Sequence, residues 1–436
     1  MMKRKLSISS VVALLLMAVL LTFLMTDFSV ANQFNEKLEE LDAEKIEFQK
    51  LATLDAIVRE HYALKPNEVN QSEGAISGYV DGLGDGYSRY LTADEYAEYL
   101  LQLEEKPVYS LGFSVGYHEK TKQARICHVE QSSDAKQFGL EVGDVLLSIG
   151  EVSVKSDGFD AVSSLLVGKK NSSTGVVVLR DGEKVTYTLQ YSNWKKDRVS
   201  ARLVLGQAAY ICIRSFEDGA REDLKTAIDQ MISAGADALV FDVRGGRSTD
   251  FREAVECADV IAGMNDLARV LTKGETQEVL KGDGASVPLS CAVLIDGETY
   301  GAPELFAASL RDTVDAKLVG SKSAGCASLQ SDIKLNDNSA VILTTEVFLP
   351  PVADSFEGVG VKPDEKIQSR YDFKALSPEE DPVLSGAYYL LKPDKVPGED
   401  EPIVVPDTDT DSDDPQLIEP NMKSDTGSDE DPKDKK

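Results

Sequence analysis

From Trp194 onward the chain alternates between two hydrophobic periods, and this alternation is the strongest constraint on what it can fold into. The segments "QAAYICIRSF", "ADALVFDVRG" and "CAVLID" are short, nearly continuous apolar runs, as strands covered on both faces require. Between and after them, "REDLKTAIDQMISAG", "DFREAVECADVIAG" and "APELFAASLRD" place their apolar residues at helical spacing. Strands that alternate with helices imply a parallel or mixed sheet with crossover helices. The β-rich "SDIKLNDNSAVILTTEVFLPP" and then "GVGVKPDE" close this unit, and "SPEEDPVLSGAYYLLK" predicts a final helix. The expected fold class is therefore α/β, with a mixed β/α core over residues 193–396.

Ahead of it, residues 106–192 have another pattern. "LGFSVGY", "ARICHVE", "DVLLSIG", "GVVVLRDG" and "KVTYTLQY" have strand composition, and Asp181-Gly182 is a hairpin signal. Short helices fit "SSDAKQFGL" and "FDAVSSLLVG". The order resembles a PDZ domain, with "SSDAKQFGLEVGDVLLSIGEVSV" carrying the likeness. That resemblance implies a peptide-binding loop at Leu111, Gly112, Phe113 and Ser114. Its backbone N–H groups would hold a C-terminal carboxylate, and the peptide would add as a strand along the following edge.

The ends of the chain bear on location. Lys3-Arg4-Lys5 precedes a run from Leu6 to Met25 without charge. About 20 apolar residues span a bilayer, and the basic flank belongs on the cytoplasmic side. Residues 1–31 are read as a transmembrane anchor, with a signal peptide cleaved near Ser29-Val30-Ala31 as the competing reading. The expected location is the cell membrane, single-pass with the bulk extracytoplasmic, or secretion if the segment is removed. Residues 34–105 form an N-terminal helical segment: a helix from Phe34 to Leu64 ended by Pro66, a Gly82-Gly84-Gly86 turn, and a helix opened by Thr92 and Glu95. Residues 397–436 hold 14 acidic and 4 basic residues, and too few apolar ones to fold.

The formal net charge of −29 argues against nucleic acid as a partner. Five cysteines are widely spaced and form no CxxC pair or metal-ligand cluster with the three histidines. No cofactor and no metal are expected, and most of the cysteines read as small buried hydrophobes.

Taken together, the β-rich segment, the α/β core and "GLGDGYSRYL" resemble the carboxyl-terminal processing peptidases, or tail-specific proteases, from about residue 50 to 395. "DVRGGRSTDF", "VGSKSAGCASLQ" and "GVGVKPD" fall in that family's order. The resemblance implies a serine nucleophile turn and a lysine base, because a hydroxyl attacks only when a neighbour accepts its proton. Setting Glu304 on the family's Ser-Ala-Ser-Glu turn puts Gly301 on the nucleophile and Ala302 after it. Cys326 then falls on the base lysine, and Gln330 is retained on the glutamine that orients it. Near the expected oxyanion hole Arg247, Ser248 and Thr249 replace Pro-Gly-Gly. With nucleophile, base and hole all altered, no catalytic set is intact.

The expected function is a membrane-anchored pseudopeptidase binding polypeptide C-termini or unfolded segments as an envelope adaptor or regulator. The alternative is an active serine-type C-terminal processing endopeptidase with a non-standard site. Ser309 reads as a helix-surface hydroxyl. Cys326 is a candidate substitute nucleophile only if a cation such as Lys322 activates it. Tyr300 and Asp296 read as structural, and Glu304 as an acid suited to a helix N-terminus.

Overall fold

The computed structural model describes residues 49–104, 106–368, 372, 374 and 376–395. The apolar run Leu6–Met25 and the acidic tail lie outside the described residues. Among those described, no helix is long and apolar enough to cross a membrane.

The described chain divides into two units. The first comprises residues up to Asp94 together with Leu335–Val341, which sequence reading had assigned to the core. It holds a helix over residues 49–61, ending before Pro66 as expected, and a second over Glu68–Asp81 capped by Asn67. In the glycine turn, the Asp85 carboxylate accepts from the Tyr87 and Ser88 backbone N–H groups.

The second unit contains both the β-rich segment and the α/β core. Its β-domain is an antiparallel sheet in the order Phe113–His118, Gln123–Val129, Val145–Ile149, Ser173–Arg180, Glu183–Gln190, with Val152–Ser153 beside Val145–Ile149. The two expected helices form at Asp134–Gln137 and Phe159–Ser163. Leu111, Ile126, Leu146, Ile149, Val176 and Leu189 make a separate core. Phe113–His118 is an edge strand, and Tyr117 stacks on Phe159 with ring centroids 4.8 Å apart.

The core sheet runs Glu365–Lys366, Lys317–Gly320, Cys291–Ile295, Ala238–Asp242, Ala208–Ile213, Val199–Val204. All pairings are parallel except that between Ala208–Ile213 and Val199–Val204. Alternate side chains of each strand serve opposite faces. Cys291, Val293 and Ile295 join one cluster with the helices Ala220–Ser233, Phe251–Ala262 and Ala302–Val314. Ala292 and Leu294 join the other, against Val383, Leu384 and Tyr388 of the helix Pro382–Leu391. That helix is also held by charge. Asp381 caps it and pairs with buried Arg244, which pairs in turn with Asp242 at 2.7 Å.

Strands not anticipated from the sequence include Val199–Val204, Lys317–Gly320, and the hairpin Asp266–Thr272 with Glu275–Lys281 turned at Lys273-Gly274. The sheet is mixed because of the first of these.

Candidate active site

Three adjacent parallel strands end on the same side of the sheet, and each releases a loop there. Ala238–Asp242 leads into residues 243–250, Cys291–Ile295 into 296–301, and Lys317–Gly320 into 321–327. Crevices outside the carboxyl ends of parallel strands are where α/β sheets place ligands. The three loops bring together Ser248, Gly301, Ala302 and Cys326.

The turn at Gly301 is fixed by backbone pairing. Arg247 and Ser248 pair in parallel with Tyr300 and Gly301. Gly301 has φ +81°, and a Cβ placed there would stand 2.0 Å from the Ser248 carbonyl oxygen. Only glycine fits so close an approach at positive φ. Ser248 Oγ is engaged elsewhere, accepting from Asp250 N–H at 3.1 Å and donating to the Phe216 carbonyl at 3.3 Å. Ala302 is fully buried at the start of the helix.

Sequence reading missed what Glu304 does. It is not simply an acid at a helix terminus: it is completely buried and joins two of the loops. Its carboxylate accepts from the Gly301 N–H (2.8 Å), the Gly325 N–H (2.7 Å), the Cys326 N–H (2.8 Å) and the Ser323 hydroxyl. Burial pushes its carboxyl above the ordinary range, against the opposing pull of these donors. Ser323 Oγ in turn accepts from Val361 N–H at 2.7 Å. Glu357 holds the next residues, accepting from Ala327 N–H and Ser328 Oγ.

Cys326 is buried, and its thiol faces the Ser328 carbonyl at 3.7 Å. Burial pushes the thiol up, away from the thiolate form a nucleophile needs. The Tyr300 hydroxyl lies within hydrogen-bonding reach of it, itself pushed up to about 12, mainly by burial. Arg247 stacks over the Tyr300 ring at 4.5 Å and reaches Glu298 at 3.3 Å. Lys322 is exposed, with its stem beside Gly360, and Gln330 donates to Thr344 Oγ1 at 3.4 Å. Asp296 is structural, as expected. It accepts from Gly245, Glu298 and Thr299 N–H groups. Ser309 corrects the sequence reading: it is buried, not on a helix surface, and donates to the Leu267 carbonyl at 2.8 Å.

In the β-domain, Gly112 has φ +79°, and a Cβ there would meet Ser133 Cβ at 2.3 Å. The loop is partly self-bonded. Leu111 N–H donates to the Leu166 carbonyl at 3.1 Å, and Gly112 N–H reaches Ser110 Oγ at 3.4 Å. Leu111, Gly112 and Phe113 are buried, and Ser114 is exposed beside the Cys127 thiol.

The structure also gathers a set that sequence reading did not collect: His128, Glu130 and Asp197. The available signal was the His-x-Glu spacing, which on a strand puts both side chains on one face.

Residues 207–367 match the profile of peptidase family S41. The chain is 26% identical over 334 residues to a Staphylococcus haemolyticus protein named "Probable CtpA-like serine protease", covering 75% of this chain and 66% of that protein. A protein of the same name from Staphylococcus saprophyticus is 24% identical over 330 residues, with 74% and 66% covered. This chain thus spans just under two thirds of the length of these relatives. In fold it is similar to a Bacteroides fragilis crystal structure described as a "Putative S41 protease", with a TM-score of 0.50 at 18% identity, covering 76% of this chain and 92% of that one.

Proposed function

We propose, from the peptidase family S41 membership carried by residues 207–367, that this chain is a pseudopeptidase of the cell envelope. It binds polypeptide C-termini or extended segments through a PDZ-like domain and does not cleave them. One observation carries this reading: at the position assigned to the nucleophile, the Ser248 carbonyl fills the space of any side chain on Gly301. Without a hydroxyl no acyl intermediate can form, and the position of the base holds a thiol whose pKa burial raises. For binding, the edge strand Phe113–His118 is open to strand addition, and the Ser110–Ser114 loop precedes it. The anchor role of residues 1–31 belongs to the same proposal.

The test pairs a reaction with a binding measurement. The ectodomain should neither hydrolyse unfolded polypeptides nor take up a serine-reactive fluorophosphonate, since losing nucleophile and base costs about 10⁴–10⁶ in rate. It should bind a peptide with a free C-terminal carboxylate better than its amidated twin. Robust cleavage abolished by Cys326→Ala would show an active cysteine site instead. Equal binding of the two peptides would remove the adaptor role.

A further inference from the structure

Away from the loop cluster, one histidine and two carboxylates meet where the β-domain joins the connector to the core. His128 belongs to the strand Gln123–Val129, Glu130 follows on the same face, and Asp197 precedes the strand Val199–Val204. His128 Nε2 lies 3.2 Å from Glu130 Oε2 and 3.3 Å from Asp197 Oδ2. One ligand atom from each residue falls within 4.8 Å of the others. The imidazole side chain is 7% exposed and each carboxylate 17%, so the group is largely sheltered but reachable by water from the carboxylate side.

The spacing bears on two explanations. Charge-assisted N–H···O⁻ bonds run about 2.7–2.9 Å, shorter than both separations here. Ligands bound at about 2.0–2.2 Å to one ion stand about 3–3.5 Å apart, which these atoms match. A single imidazole N–H could serve both carboxylates only as a bent, shared bond. The carboxylates are oriented by backbone: Asp197 N–H donates to Glu130 Oε2 at 2.7 Å, and Gln131 N–H to Asp197 Oδ2 at 3.0 Å. Each oxygen keeps a second lone pair, and such outer donors are what aim metal-binding carboxylates.

We infer that His128, Glu130 and Asp197 form a divalent transition-metal site. Zinc, which takes imidazole and carboxylate ligands with a fourth position left to water, is the ion used to test it. The ion fastens the β-domain strand to the connector, in parallel with the Ser132 hydroxyl bond to the Lys195 carbonyl at 3.2 Å.

The experiment uses the full-length chain stripped with a chelator and titrated with Zn²⁺ against a chromogenic competitor. One tight site per chain is expected, weakened by about tenfold or more in His128→Ala, Glu130→Gln and Asp197→Asn. His61→Ala should leave it intact. All variants keep the acidic tail, so its weak cation binding cancels in the comparison. Zn²⁺ should also raise the unfolding temperature of the parent but not of these three variants. If His128→Ala fails to fold, the two near-isosteric variants decide. Absence of a tight site in the parent, or unchanged affinity in Glu130→Gln and Asp197→Asn, overturns the inference.

Discussion

Gly301 lies where a parallel bridge to Ser248 brings two backbones together. Converting it to serine asks a β-carbon to occupy the position of a carbonyl oxygen, at a φ that L-residues resist. Gly301→Ser should therefore lose about 2 kcal/mol or more of stability, read from urea unfolding, because the bridge must open. Gly301→Ser with Cys326→Lys should still show no peptide hydrolysis above background. Turnover by that double variant would mean that the bridge yields easily and that only the side chains are missing. That Gly301 and Cys326 are drawn toward one loop cluster was legible in the sequence, because both lie at short fixed spacings from recognisable neighbours. The reason for Gly301 was not: it depends on a partner strand 53 residues earlier, at Ser248. Glu304, Ser309 and the His128 group were misread or missed for the same reason. Local pattern gives a side chain's face, whereas burial and partners come from elements far away in the chain.

At the scale of elements, Glu304 is the joint between the helix Ala302–Val314 and the loop 321–327. Glu304→Gln keeps the shape but replaces one accepting oxygen with a donor facing donors. A cost of about 2–4 kcal/mol is expected, since buried groups lose partners on both sides. The pH dependence has a definite sign. The folded carboxyl titrates above the ordinary glutamate value, so the native state holds the proton more tightly than the unfolded chain. Stability from this group therefore falls as pH rises above about 4.3, and it levels off beyond the folded pKa. The advantage of the parent over Glu304→Gln should shrink across that window in parallel denaturation series. A gap that widens with pH would contradict the assignment. The elements themselves were largely readable: the buried runs became parallel strands, and the periodic segments became their helices. Val199–Val204 and the hairpin at Lys273-Gly274 escaped because polar and charged residues interrupt their apolar runs, so pairing, and not composition, makes them strands.

For the whole molecule, the proposed anchor predicts a topology. With Lys3-Arg4-Lys5 inside, protease added to intact cells should remove the acidic tail at residues 397–436 from the outside; a fully protected tail overturns that orientation. The order of strands in the core sheet has a separate consequence. Read across the sheet, the strands from Val199 to Lys366 follow one another in the same sequence as they occur along the chain. A chain leaving the ribosome can therefore lay each strand against the free edge of the one before, with no insertion between pairs already made. What arrives last is the helix Pro382–Leu391, which covers Val240, Ala292 and Leu294. Until it emerges, one side of the growing sheet is uncovered and greasy. Nascent chains halted just before Asp381 should accordingly sediment as aggregates or recruit chaperones, while those halted well past Leu391 should stay dispersed.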